Sequence, residues 1–273
     1  MSSENHAAKD GAAALEVEDI WARFGQVEVL RGVSFRVPWG NTLCILGGSG
    51  GGKTTLLKAM IGALRPTSGR IVVDGEDTTR MNERELDRIR RKFGVTFQSG
   101  ALLNSMSVAA NVALPLSYHT KLDRETIDTM VKIKLQQVDL LHAADRKPAE
   151  ISGGMKKRAA VARALALDPR ILFFDEPSAG LDPIATARLD RLINDLKTDM
   201  GMTNVVVTHE MESVRRIADR VVMLHKGRVL FDGTRDDLLA STDPLVRQFV
   251  SGDLEEFAAE GKALEKYYQD LLM

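Results

Sequence analysis

The stretch Thr42-Leu43-Cys44-Ile45-Leu46-Gly47-Gly48-Ser49-Gly50-Gly51-Gly52-Lys53-Thr54-Thr55 decides the fold. Its first five residues form a short continuous apolar run, the pattern of a strand buried on both faces of a parallel sheet. Residues 47–54 then satisfy G-x-x-x-x-G-K-[ST], and residues 54–61 read as the beginning of a helix. Glycines allow φ > 0 and let a backbone approach an anion with no Cβ in the way. A helix start adds unpaired N–H groups and partial positive charge. In such a cradle Lys53 reaches the β- and γ-phosphates of a nucleotide, and the Thr54 hydroxyl ligates Mg²⁺. A plain glycine-rich turn is the simpler reading. Agreement at all four fixed positions, between a strand and a helix, disfavours it.

A second apolar run, Ile171-Leu172-Phe173-Phe174, ends in Asp175-Glu176, two carboxylates where a magnesium ligand and a base for water are needed. Between the two runs stands Ser152-Gly153-Gly154. Ser152 can cap a helix reaching Leu167, and the two glycines bare its first N–H groups, which favours an anion at that end. In this order the three strings spell an ATP-hydrolysing machine.

Length and composition bound the rest. The chain has 273 residues, enough for one large domain or two small ones. Hydrophobic residues make up 44% and charged residues 27%, ordinary for a globular protein. The formal net charge of −1 gives no basic field for nucleic acid. No apolar run reaches the roughly 18 residues of a membrane span. Residues 1–14 are polar and alanine-rich without an apolar core, so they read as a disordered tail rather than a signal peptide. The single cysteine, Cys44, sits in an apolar strand, where packing is its expected role, and one thiol excludes an internal disulfide framework. A cytoplasmic protein fits best.

Alternating patterns at Leu15-Glu16-Val17-Glu18 and Val33-Ser34-Phe35-Arg36-Val37, with Gly69-Arg70-Ile71-Val72-Val73-Asp74-Gly75, predict an antiparallel sheet beside the nucleotide loop. Residues 171–174 and Val205-Val206-Val207 predict buried parallel strands like that of residues 42–46. Residues 102–167 look mostly helical, with breaks near Pro115 and Pro148. Ile127, Met130, Val131, Lys134, Val138 and Leu141 fall at helical steps and predict one core-facing stripe. Asp182-Pro183 signals a helix start. Residues 220–224 and 228–231 around Lys226-Gly227 predict a hairpin.

On these strings the chain, over residues 15–239, resembles the nucleotide-binding subunits of ABC transporters. Ile151-Ser152-Gly153-Gly154-Met155 is similar to the family signature LSGGQ, with Met155 in place of glutamine. The resemblance implies a P-loop NTPase core with a mainly parallel sheet, an antiparallel β subdomain, and an inserted α-helical subdomain at about residues 99–167. It implies that the Lys53 loop, with Gly47, Gly48, Ser49, Gly50, Gly51, Gly52, Thr54 and Thr55, binds ATP. Ser152, Gly153 and Gly154 would face the γ-phosphate held by a second copy, so that two identical chains sandwich two ATP molecules. Glu176 would be the base, Asp175 the Mg²⁺ holder, and His209 the switch residue contacting the γ-phosphate. Gln98, within Val95-Thr96-Phe97-Gln98-Ser99-Gly100, would bind Mg²⁺ or the water and sense the membrane partner. Ser178-Ala179-Gly180-Leu181-Asp182 matches the loop joining the two sites across the dimer. Phe24 is the candidate for the aromatic on adenine, with a core role as its alternative.

Ser152 follows Lys53 by 99 residues, too short a spacing for the coiled-coil ATPases of DNA repair, and there is one phosphate loop. Residues 97–103 (Phe-Gln-Ser-Gly-Ala-Leu-Leu), Met155, and residues 243–249 (Asp-Pro-Leu-Val-Arg-Gln-Phe) further resemble the ATPases of Mla/Mce-type lipid transporters. That resemblance implies phospholipid as cargo. The implied partners are an integral-membrane permease, an MCE-domain lipid-binding protein and a STAS-domain subunit, with no nucleic acid. The implied location is the cytoplasmic face of the inner membrane. An importer of a small solute and a soluble non-transport ATPase are the alternatives. Residues 243–273 read as a helical extension in which Leu254, Phe257, Leu264, Tyr268 and Leu271 form an apolar stripe.

Overall fold

The computed structural model describes residues 13–251. In chain order the first elements are β1 (Ala13–Phe24), β2 (Val27–Pro38), β3 (Thr42–Gly47), α1 (Lys53–Met60), β4 (Ser68–Val73), β5 (Glu76–Asp77), α2 (Glu83–Arg90) and β6 (Phe93–Thr96). Three helices follow, α3 (Val108–His119), α4 (Arg124–Gln137) and α5 (Gly153–Ala164). The chain then forms β7 (Ile171–Asp175), α6 (Pro183–Met200), β8 (Thr203–Val207), α7 (Met211–Ile217), β9 (Arg220–His225) and β10 (Arg228–Thr234), ending in α8 (Arg235–Leu239) and α9 (Pro244–Ser251).

The strands make two sheets. One has the order β2-β1-β4-β5 and is antiparallel. The other has the order β10-β9-β3-β8-β7-β6, parallel throughout except for the β9–β10 hairpin. The continuous apolar runs are explained by what covers each face. Leu43, Ile45, Phe173 and Val205 point into a core shared with α1 and the antiparallel sheet. Their neighbours Cys44, Leu46, Phe174 and Val206 point into a second core shared with α3 to α7. A strand with alternate side chains going to two dry layers carries no polar face. Cys44 is fully buried, and burial, then the Asp190 and Asp219 carboxylates, push its thiol pKa up, leaving it an inert packing group.

The predicted parallel strands, the antiparallel sheet and the hairpin are all present, and Asp182 caps α6 by accepting from the Ile184 and Ala185 N–H groups, both at 2.9 Å. Four details differ from the sequence reading. Helix α3 runs through Pro115 without a break. Proline there only removes the bond to the Asn111 carbonyl, and burial of Val108, Val112 and Leu116 outweighs that loss. Leu141 leaves the predicted stripe: α4 ends at Gln137, Leu141 opens a short 3₁₀ turn and is 41% exposed, and Leu135 takes the core position. The helix capped by Ser152 stops at Ala164, short of Leu167. Strand β1 begins at Ala13, inside the segment read as a tail. Residues 1–12 and the stripe from Leu254 to Leu271 lie outside the described residues.

Candidate functional site

Parallel strands align their carboxyl ends on one edge, the place where α/β sheets build sites. Here β3, β8, β7 and β6 are neighbours, so the chain leaving each of them delivers a predicted residue to the same edge. After β3 comes the glycine loop, after β7 Glu176, after β8 His209 and after β6 Gln98.

The glycines of the loop are required partly by the chain itself. Gly52 has φ 99°, and a Cβ there would sit 2.7 Å from Leu30 Cδ2. At Gly47, φ 149°, a Cβ would lie 2.4 Å from the Leu224 carbonyl oxygen. The loop is therefore pressed against β2 and β9, with its amides at the start of α1. Lys53 donates to the Gly47 and Gly48 carbonyls at 2.6 and 3.1 Å. Burial pulls its ammonium pKa down while the Glu176 and Asp175 carboxylates pull the other way. Thr54 and Thr55 occupy the first turn of α1.

Asp175 ends β7, and burial followed by the nearby Glu176 raises its pKa, against Lys58, Lys53 and Lys157. Glu176 has a left-handed backbone, φ 46°, unusual for a residue with a Cβ. Its N–H donates to the Val207 carbonyl at 2.8 Å, and its own carbonyl accepts from the Ala179 N–H at 3.2 Å. This turn aims the carboxylate at His209, whose Nδ1 lies 2.7 Å from Glu176 Oε2. Two buried oxygens nearby in sequence and sheet, Thr96 Oγ1 at the end of β6 and Ser178 Oγ after β7, lack hydrogen-bond partners. Buried unpaired oxygens at a strand edge with two carboxylates are a donor set suited to a hydrated cation and a water.

Gln98 is exposed and shares a groove with Phe97, Ser99, Asp175, Ala179 and Gly180. Ser152, Gly153 and Gly154 are not joined to the Lys53 loop. They line a separate groove of about 350 Å³ with Gly180, Asp182 and Arg188. Ser152 caps α5, its Oγ accepting from the Met155 N–H at 3.3 Å. A Cβ on Gly153 or Gly154 would meet its nearest neighbour only at 3.5 or 3.4 Å, so the fold of this chain does not demand glycine there. Phe24 ends β1 in the other sheet and is 51% exposed, which removes the core alternative for its ring.

Sequence reasoning missed two residues of α5. Lys157 donates to the Gln98 carbonyl at 2.5 Å and to the Glu176 carbonyl at 3.3 Å. Arg163 donates to the Gly100 and Ala101 carbonyls at 2.9 and 2.7 Å. The one signal was a cation at positions 157 and 163 of a helix whose position 160 is alanine, a stripe at three-residue steps.

Comparison with known proteins agrees with this geometry. Residues 30–179 match the family described as ABC transporter. The chain is 44% identical to the probable ribonucleotide transport ATP-binding protein mkl of Mycobacterium leprae, over 88% of this chain and 69% of that protein. It is 41% identical to the intermembrane phospholipid transport system ATP-binding protein MlaF of Haemophilus influenzae, over 88% of this chain and 90% of that protein. Among solved structures, the ATP-binding cassette MJ0796, dimeric and bound to ADP and Pi, superposes with a TM-score of 0.75 at 30% identity, covering 81% of this chain and 98% of that one.

Proposed function

The chain belongs to the ABC transporter family, and from that premise we propose that it is the ATP-hydrolysing subunit that powers phospholipid movement by a membrane permease. The observation carrying the lipid reading is the match to the MlaF protein, which runs through nine-tenths of that protein's length. The mkl proteins are slightly more identical but extend further beyond the match, and their name makes ribonucleotide, a small solute, the second reading.

Two copies work together, as in the dimeric cassette. In each site the Lys53 loop of one copy holds the phosphates, and the Ser152 helix end of the other closes on the γ-phosphate. That a Cβ at Gly153 or Gly154 would make only ordinary contacts supports this, because the need for glycine there then comes from outside the chain. Phe24 presents its exposed ring to adenine. Glu176 takes the proton of the attacking water as its oxygen bonds to the γ-phosphorus and the bond to the ADP oxygen breaks. His209, touching Glu176, reads whether the γ-phosphate is present. Thr54, Gln98 and Asp175 are the residues that would hold Mg²⁺, and the unpaired oxygens around Asp175 fit it. The ion supplies charge neutralisation of the β- and γ-phosphates. Phosphoryl transfer needs mainly placement and charge, which is what these residues provide.

Among the described residues no helix is long and apolar enough to cross a membrane. In the proposed assembly the chain meets the bilayer through the permease, on its cytoplasmic face, with an MCE-domain lipid-binding protein and a STAS-domain subunit as further partners. We assign residues 15–242 to the ATPase unit and the residues after them to an extension, of which α9 is the described part. Purification of the tagged full chain from mild-detergent extracts tests the assignment by mass spectrometry of proteins and lipids. A multi-spanning protein with bound phospholipid is expected. A permease that carries a nucleotide or another small solute and no lipid would overturn the cargo.

A further inference from the structure

Helix α5 holds both sides of the groove that contains Gln98. Arg163 grips the loop after β6 at Gly100 and Ala101. Gly100, with φ 75°, lies over Ala160, and a Cβ there would sit 3.7 Å from both the Ala160 Cβ and the Lys156 carbonyl oxygen. Lys157 then spans from this loop to the turn after β7, with one ammonium shared between the Gln98 and Glu176 carbonyls. The Glu176 carbonyl belongs to a left-handed residue that its own turn holds by one N–H, that of Ala179 at 3.2 Å. An L residue in that conformation is strained, so it persists only where surroundings hold it. Lys157 is the one side chain donating to this carbonyl among the described residues.

We propose that Lys157 is a positioning residue that ties the Gln98 loop to the backbone of Glu176, so that movement of the loop is transmitted to the carboxylate that activates water. The inference rests on the reading of Glu176 as the base. The physical link is short: the Gln98 carbonyl, one ammonium, the Glu176 carbonyl, and then the backbone that sets where the carboxylate points. A partner that draws the loop away from α5 pulls the ammonium along by the shorter bond, stretches the longer one to the Glu176 carbonyl and leaves the left-handed turn less supported. A loop pressed onto α5 does the opposite. Arg163 anchors the far end of the loop, which confines the motion to the Gln98 side.

Steady-state ATP hydrolysis by the full chain, with Mg–ATP varied, separates this role from a structural one. Lys157→Met is expected to lower kcat about tenfold or more while the KM for ATP stays within about twofold. Lys157→Arg, which keeps two donors on a cation, is expected to restore kcat to within about threefold of wild type. Hydrogen exchange should quicken at residues 97–101 and 176–179 in Lys157→Met, with the melting temperature held. If Lys157→Met does not fold, Lys157→Ala, whose shorter side chain admits water, is expected to show the same split. Unchanged kcat in the neutral variant, or a loss that Lys157→Arg does not recover, overturns the proposal. Glu176→Gln keeps the two failures apart. If it hydrolyses ATP normally, the reading of the base falls; if it is dead while Lys157→Met turns over at the wild-type rate, only the positioning role falls.

Discussion

Lys53 shows how a single side chain is kept ready for an anion. Its ammonium satisfies itself on the Gly47 and Gly48 carbonyls, and burial disfavours its charge while two carboxylates sustain it. A phosphate entering the loop offers a better partner, because it meets the ammonium with a full opposite charge that a neutral carbonyl lacks. Lys53→Ala is therefore expected to weaken ATP binding by about tenfold or more in a titration with a fluorescent analogue. Wild-type affinity in that variant would contradict the role given to the lysine. Glu176 is the complementary case. Its strained backbone is a cost to the folded state, retained where it places a carboxylate beside His209.

At the scale of elements, the antiparallel sheet is fastened to the edge of the parallel one by ions. Lys92, between α2 and β6, donates to Glu76 at 2.7 Å and to Asp74 at 2.8 Å, and Arg88 of α2 pairs with the same Glu76. Arg88 first and Lys92 second hold the Glu76 carboxyl at about 2, below its ordinary 4.5. A depressed carboxylate stabilises the fold fully above its ordinary pKa and loses that contribution as pH falls through the folded value. The stability difference between wild type and Glu76→Gln, from urea midpoints, should level off above about pH 4.5, shrink as pH falls from there and be lost only below about pH 2. Because the group is only partly buried, salt should reduce it too. A difference that stays at its neutral-pH size down to about pH 2 would remove the ionic tie. Legibility in the sequence also differed by element. Strands β3, β7 and β8 were readable because both their faces are dry, and α6 because Asp182 and Pro183 announce it. Strand β6 was not: it is four residues long and contains Gly94, where a Cβ would come within 2.4 Å of the Ala164 carbonyl. Helix α2 hid behind its charges, although the Asn82–Glu85 capping box was its signal. Lys157 and Arg163 looked like solvated charges, since their partners are backbone carbonyls 59 and 62 residues away.

For the whole molecule, the separation of the two features assigned to the nucleotide has most consequence. The Lys53 loop stands at the sheet edge beside the ends of β7 and β8, whereas Ser152, Gly153 and Gly154 line their own groove beside Gly180 and Asp182. On the proposed reading one copy carries both halves of a clasp without closing it on itself, and two copies facing each other would complete two sites. In the proposed cycle closure needs nucleotide and opening follows its hydrolysis, so that ATP would act on a two-state assembly and move the permease bound to it. The most direct measurement mixes two full-length chains that both carry Glu176→Gln and Cys44→Ala, one with Ser49→Cys and the other with Met155→Cys. Disulfide formation is then followed with and without Mg–ATP. A cross-linked pair that appears with Mg–ATP and fades without nucleotide is predicted. Chains that bind Mg–ATP yet never cross-link between the two positions would contradict the shared site, and with it the account of how the molecule works.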